Sequence, residues 1–188
     1  MERTTSTPTT LERYEEADRP LSARLDGLSP QQWSAPSPCE GWDAREVVRH
    51  LIETQRDFLV GRGSDLGAAP DVDGDPASAW RAHREAVSAL IAQDAVVATP
   101  YDGHFGPTTI GETLERFYVF DMVVHRWDVA RTVGVEDAFT ETELDQLESG
   151  IASFGDAIHM DGICKPGVEA PAGADRQTRV LATLGRRA

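Results

Sequence analysis

The stretch ETLERFYVFDMVVHRWDVARTVG, residues 112–134, constrains this chain more than any other. Thr109 and Glu112 form a capping box ahead of it, and Gly134 stops it. No proline interrupts the run, so it reads as one long helix. At about 100° per residue, Leu114, Phe117, Tyr118 and Val124 fall on one face. Asp121, His125, Asp128 and Thr132 fall on that same face, inside the apolar stripe rather than opposite it. Buried ionisable groups are costly unless they are paired or bound to a metal. This helix therefore calls for a facing helix that answers those groups.

The rest of the chain supplies such helices. A first helix runs from about Leu11 to Leu25, where Pro20 should kink it or restart it, since proline removes an interior hydrogen bond. In LSPQQW, Ser29, Pro30 and Gln32 mark a short helical turn. A second long helix follows Gly41. Asp43 caps it, Glu46 sits three residues on, and Val47, Val48, Leu51, Ile52, Phe58 and Leu59 form its apolar stripe. Asp75 and Pro76 open a third, reaching about Gln93. TPYDGHFGPT is a loop with room for short extended strands. Thr140 and Glu143 cap another helix, reaching about Ile158, and the tail from Met160 is loop-like with a turn or two of helix in DRQTRVLATLG. The fold class is all-α: a four-helix bundle with short extra helices and a C-terminal tail.

Composition removes several functions. The chain has 188 residues, enough for one domain with a sizeable core. Its net charge of −14 repels phosphate backbones and argues against nucleic acid as a partner. No apolar run approaches the roughly 20 residues that cross a bilayer, so no membrane partner is expected. Cys39 and Cys164 stand alone and point to a reducing compartment, the cytoplasm. DVDGD, residues 71–75, lacks the spacing of a calcium loop and reads as a turn feeding the cap at Asp75. No P-loop, dinucleotide fingerprint or nucleophile elbow is present. Cys39 reads as a small packing residue near the site.

Asp121 and His125 are four apart, which sets their Cβ atoms roughly 5–6 Å from each other. That spacing suits two ligands of one divalent metal, or a simple ion pair. A catalytic zinc takes three protein ligands and leaves its fourth position to water or substrate. His50, on the flank of the second helix, is the natural third ligand. His83 is on the flank of its own helix and could compete. His104 and His159 read as solvated. Trp42 and Trp127 would wall the site or pack beneath it, and Phe105 and Tyr101 would line its mouth. Asp128 could accept from an arginine or a helix N-terminus, or orient a ligand histidine; three residues from His125, it is placed awkwardly for that same ring, and the favoured role is to fix the Gly41–Trp42 turn or a neighbouring helix. Arg126 and Arg131 lie opposite the site and read as a solvated face.

PCEGWDAREVVRHLIE, DMVVHRWDVARTVG and the tail DRQTRVLATLGRR together resemble an actinobacterial family of the DinB-like superfamily. This is the metal-binding domain of mycothiol-dependent maleylpyruvate isomerase and its stand-alone relatives. The resemblance implies a four-helix bundle with a divalent metal, often zinc, held by side chains that map onto His50, Asp121 and His125. The middle ligand of the isomerase is Glu. Here it is Asp121, shorter by one methylene, which bears on the choice of metal, with nickel as another candidate. The isomerase has a second, C-terminal domain. This chain has about thirty residues after its last long helix, so residues 1–188 read as a single DinB-like domain without that second one.

Three functions are compatible with this pattern. One is a metal-dependent enzyme using a small thiol such as mycothiol, for transfer to an electrophile or for thiol-assisted isomerisation. The second is a metal- or ligand-binding protein without catalysis, and the third is a hydrolase using metal-bound water. Relatives of this kind are often homodimers, so a dimer is a further expectation.

Overall fold

The computed structural model describes residues 7–155, 158 and 166–187. His159 and Cys164, discussed above from sequence, lie outside the described residues. Helix α1 spans Thr10–Asp26, α2 Ala44–Val60 and α3 Pro76–Ile91. A short α4 (Asp94–Val97) leads to an antiparallel hairpin of β1 (Pro100–Gly103) and β2 (Gly106–Thr109). Then come α5 (Ile110–Thr113), a π-helical turn (Leu114–Val119) and α6 (Phe120–Thr132), continuous with one another. Helices α7 (Glu141–Phe154) and α8 (Arg176–Thr183) complete the described chain.

Side chains written into the sequence set most of these boundaries. Thr9, Thr109 and Thr140 each accept from the backbone N–H three residues on, and Glu12, Glu112 and Glu143 return the bond. Asp43 accepts from Glu46 N at 2.9 Å and Asp75 from Ser78 N at 3.1 Å. Each such cap is worth about 1 kcal/mol.

Of the two outcomes open at Pro20, a kink or a restart, the restart does not occur; α1 continues through it as one helix. Proline frees the carbonyl four residues back, and that residue, Glu16, is exposed to water. The buried stripe of Tyr14, Ala17, Leu21 and Leu25 continues past it.

Helix α1 packs on α3 and α6, and α2 packs on α3 and α6, so the four long segments close one bundle. Leu21, Leu51, Leu59 and Leu114 are fully buried at its centre, each stabilising the fold by about 1.5–3 kcal/mol. Helix α7 covers the outer face of α6, and α8 packs on α7. This cover overturns the solvated reading of Arg126. Its guanidinium is buried, with Nε 2.7 Å from Asp137 and Nη1 2.5 Å from Glu143. Arg131 does reach the surface, where it pairs with Glu136 at 3.4 Å. No helix of the described chain is long and apolar enough to cross a membrane.

Candidate metal centre

Gly41 holds φ at +81°, a conformation open to glycine without strain. The turn it permits is closed by Trp42 N donating to Cys39 O at 3.0 Å and Ser37 N donating to Trp42 O at 2.8 Å. Trp42 is thereby laid against the first turns of α2, its ring centroid 4.9 Å from that of His50 and 6.1 Å from that of His125.

Under Trp42, three side chains from α2 and α6 converge. His50 Nε2 lies 3.0 Å from Asp121 Oδ2, and His125 Nε2 lies 3.3 Å from Asp121 Oδ1. The two imidazoles thus face opposite oxygens of one carboxylate, with ring centroids 5.0 Å apart. One donor atom from each of the three lies within 4.8 Å of the other two. Two imidazole nitrogens and a carboxylate are a donor set that suits zinc and its neighbours in the first transition row.

The electrostatics match such a centre. Burial pushes the Asp121 carboxyl up, but His125 and His50 outweigh it and hold its pKa well below the usual carboxylate range. Burial pushes the His125 imidazole down, yet the Asp121 charge, with hydrogen bonds to Asp121, Asp128 and Cys39, holds it above its ordinary value.

Asp128 makes the direct bond to His125 that its spacing argued against, and it also meets an arginine and the turn before α2. Its side chain is fully buried, and Oδ2 lies 2.8 Å from His125 Nδ1. The three-residue separation proves compatible with a direct bond. Arg186, just beyond α8, donates to Asp128 through Nε at 2.9 Å and Nη2 at 2.7 Å. Burial raises the Asp128 carboxyl, and His125 and Arg186 bring it down to about 2. Asp128 therefore stays ionised and takes the Nδ1–H of His125, which turns Nε2 toward His50 and Asp121. Cys39 Sγ lies 3.4 Å from Asp128 Oδ2, closer to the site's chemistry than a mere packing residue. Cys39, His125 and Asp128 also converge within 4.8 Å. A cation there would compete with the Arg186 guanidinium for Asp128.

A family model describing the mycothiol maleylpyruvate isomerase N-terminal domain matches residues 14–130. The chain belongs to this family. No curated protein and no solved structure matches it. The matched span contains Cys39, Trp42, His50, Asp121, His125 and Asp128, while Arg186 lies beyond it.

Other residues singled out from sequence separate into two groups. His83 is not at the centre. It is buried in a second polar cluster, with Nε2 2.9 Å from Gln55 Oε1, which also accepts from the Tyr14 hydroxyl at 2.9 Å. Trp127 is buried in the core, two residues round the helix from His125, and does not line the cavity beside the centre. Phe105 and Tyr101 do line that cavity, along with His50 and Asp121. Arg62 and Arg116 line it too, and nothing in the sequence reading singled them out. Arg62 had no legible signal, since it stands past the end of α2, and i+12 from His50 is about 120° round the axis. For Arg116, five residues back from Asp121 on an α-helix is about 140° round the axis. The π turn, with its i→i+5 bonding, brings Arg116 to the cavity side.

Proposed function

We propose that this chain is a divalent-metal-dependent enzyme in which His50, Asp121 and His125 hold the ion and a low-molecular-weight thiol, such as mycothiol, is a co-substrate. The observation that carries the reading is the convergence of three donor atoms from two facing helices at the wall of a cavity large enough for a small molecule. A bound zinc or nickel ion supplies a positive centre that favours the thiolate form of a coordinating sulfur.

The protein's own residues prepare that centre. Asp128 fixes the tautomer of His125 by accepting from Nδ1. Trp42 lies over His50 and His125 and excludes water from one side. Asp121 and His50 both line the cavity, so that side of the centre is open to an incoming molecule. Family membership supports the thiol, because the family is described by a mycothiol enzyme. Transfer of the thiol to an electrophile and thiol-assisted isomerisation both fit this arrangement.

Metal content of protein purified without a histidine tag tests the reading. About one ion per chain is expected in the wild type, lost in both His125→Ala and Asp121→Ala. Absence of metal from the wild type, even after addition of zinc or nickel, refutes it. Turnover of an electrophile that requires the thiol is expected next, and turnover that is indifferent to thiol would favour hydrolysis.

A further inference from the structure

The cavity beside His50 and Asp121 has a volume of about 580 Å³, inside the roughly 300–1,000 Å³ range of small-molecule sites. Two of its walls are helical. His50, Thr54 and Phe58 form one from α2, and the π turn forms part of another with Phe117 and Tyr118. A third is the hairpin of β1 and β2, which contributes Tyr101, Phe105 and Pro107.

The hairpin is attached differently from the helical walls. Its base is fixed. Ile110 is buried and its N–H donates to Thr99 O at 3.1 Å. Gly111 packs so closely that a Cβ there would come within 2.9 Å of Thr10 Oγ1 and 3.1 Å of Val97 Cβ. Beyond the base, no residue from 100 to 109 is buried. Among the described residues, no backbone group of residues 100–108 bonds outside the hairpin. Side chains hold its outer part to the bundle. The Tyr101 hydroxyl lies 2.6 Å from Thr113 Oγ1. The Arg62 guanidinium is 4.0 Å from the ring centroid of Phe58 on α2 and 4.0 Å from that of Tyr101 on β1. That of Arg116 is 4.7 Å from Phe105 at the hairpin tip and 5.1 Å from Phe154 on α7, and Phe105 stacks on Phe117 at 6.0 Å. Both arginines are tied to the bundle, Arg62 Nη1 donating to Phe58 O at 3.0 Å and Arg116 Nη2 to Ser153 O at 2.8 Å. Phe105 stays 42 % exposed, so the tip buries little apolar surface. A guanidinium over an exposed ring is a weak contact, and a two-stranded hairpin is marginal in water by itself. A wall with a fixed base and a weakly held tip opens at lower cost than the helices beside it.

We propose that the β1–β2 hairpin is a flap on this cavity, hinged where Thr99 meets Ile110 and latched by Arg62 against Tyr101 and by Arg116 against Phe105. Opening it widens the way to His50 and Asp121 while the bundle stays intact. The flap needs neither a metal nor a thiol, so it stands apart from the proposed function.

Amide hydrogen exchange on the full chain, read by mass spectrometry, tests the flap. Released from the bundle, the short ladder frays, so its exchange follows the population of the open form. The ladder amides should exchange about tenfold or more faster than those of α2 and α6. Low urea should accelerate α2 and α6 and leave the hairpin nearly unchanged, because local opening exposes little surface. This comparison needs no variant to fold. Arg62→Met and Arg116→Met should each speed hairpin exchange by about two- to fivefold, the size of an exposed cation–π contact, with α2 and α6 unchanged. Hairpin amides that exchange in step with α2 and α6 in the wild type would overturn the proposal. So would hairpin rates that neither variant moves. Equal acceleration of α2 and α6 in the variants would also overturn it, since the arginines would then support the bundle and not the flap.

Discussion

Arg186 grips the buried carboxylate of Asp128 with two nitrogens, at 2.9 Å and 2.7 Å, from 58 residues further along the chain. Its own position is fixed locally, by Nη1 donating to Leu184 O at 2.9 Å and its backbone N–H donating to Leu181 O at 2.9 Å. The end of α8 thus supports His125 through one intervening side chain. Partners of a ligand histidine typically change metal affinity by about 10–100-fold. Arg186→Met should weaken zinc binding by about tenfold or more, read by competition with a chromophoric chelator. Arg186→Lys should restore it only in part, because lysine cannot form the two-pronged bond. Unchanged affinity in Arg186→Met would remove the tail from the centre.

Arg126 provides the contrast. It is as buried as His125 and lies on the same helix, but its partners are Asp137 and Glu143, on the side covered by α7. Removing one member of a buried ionic cluster strands the others, at a cost of about 3–5 kcal/mol. Arg126→Met should lower the unfolding free energy by that order in urea titrations while leaving zinc affinity within about twofold of wild type. A large loss of metal affinity without loss of stability would contradict the separation of the two clusters.

His83 sets an acid limit on the fold. Burial, with the nearby charge of Arg56, pushes its imidazole down from 6.5 to about 3. The folded state therefore holds it neutral while the unfolded chain takes up a proton below about pH 6.5. The associated stability is complete above pH 6.5 and is lost as pH falls from there toward 3, by up to about 1.4 kcal/mol per pH unit. Denaturant melts of wild type and His83→Gln across that window should show a pH-dependent difference that is flat above pH 7. A difference that does not vary with pH would show that His83 is not held neutral.

Trp42 offers a direct optical report on the centre. It is one of four tryptophans, and its ring lies 4.9 Å from that of His50. Nickel or copper added to stripped protein should quench part of the tryptophan emission. The metal-dependent part should disappear in Trp42→Phe and persist in Trp127→Phe. Quenching that survives loss of Trp42 would place the ion elsewhere.

Helix periodicity, capping residues and the i, i+4 relation between Asp121 and His125 are local, and local rules operate within a turn or two of chain. The all-α class, the starts of the long helices and the hairpin-bearing loop were therefore open to the sequence alone. So was the anomaly of ionisable groups within an apolar stripe, which focused attention on one face of one helix. Whether Pro20 ends its helix depends on whether the freed carbonyl meets water, and that depends on which side the neighbouring helices occupy.

The remaining decisions required the packed molecule. Only tertiary structure brought His50 to Asp121, sent His83 to Gln55 instead, and buried Arg126 under α7. Only the side-chain conformation at Asp128 turned an awkward spacing into a hydrogen bond with His125, and only the return of the chain after α8 gave Asp128 its cation. The π turn, invisible to a count at 100° per residue, placed Arg116 in the cavity with Arg62. Periodicity states which face a residue occupies, but partners come from segments tens of residues away, selected by burial and by pairing of charge in a core of low polarity.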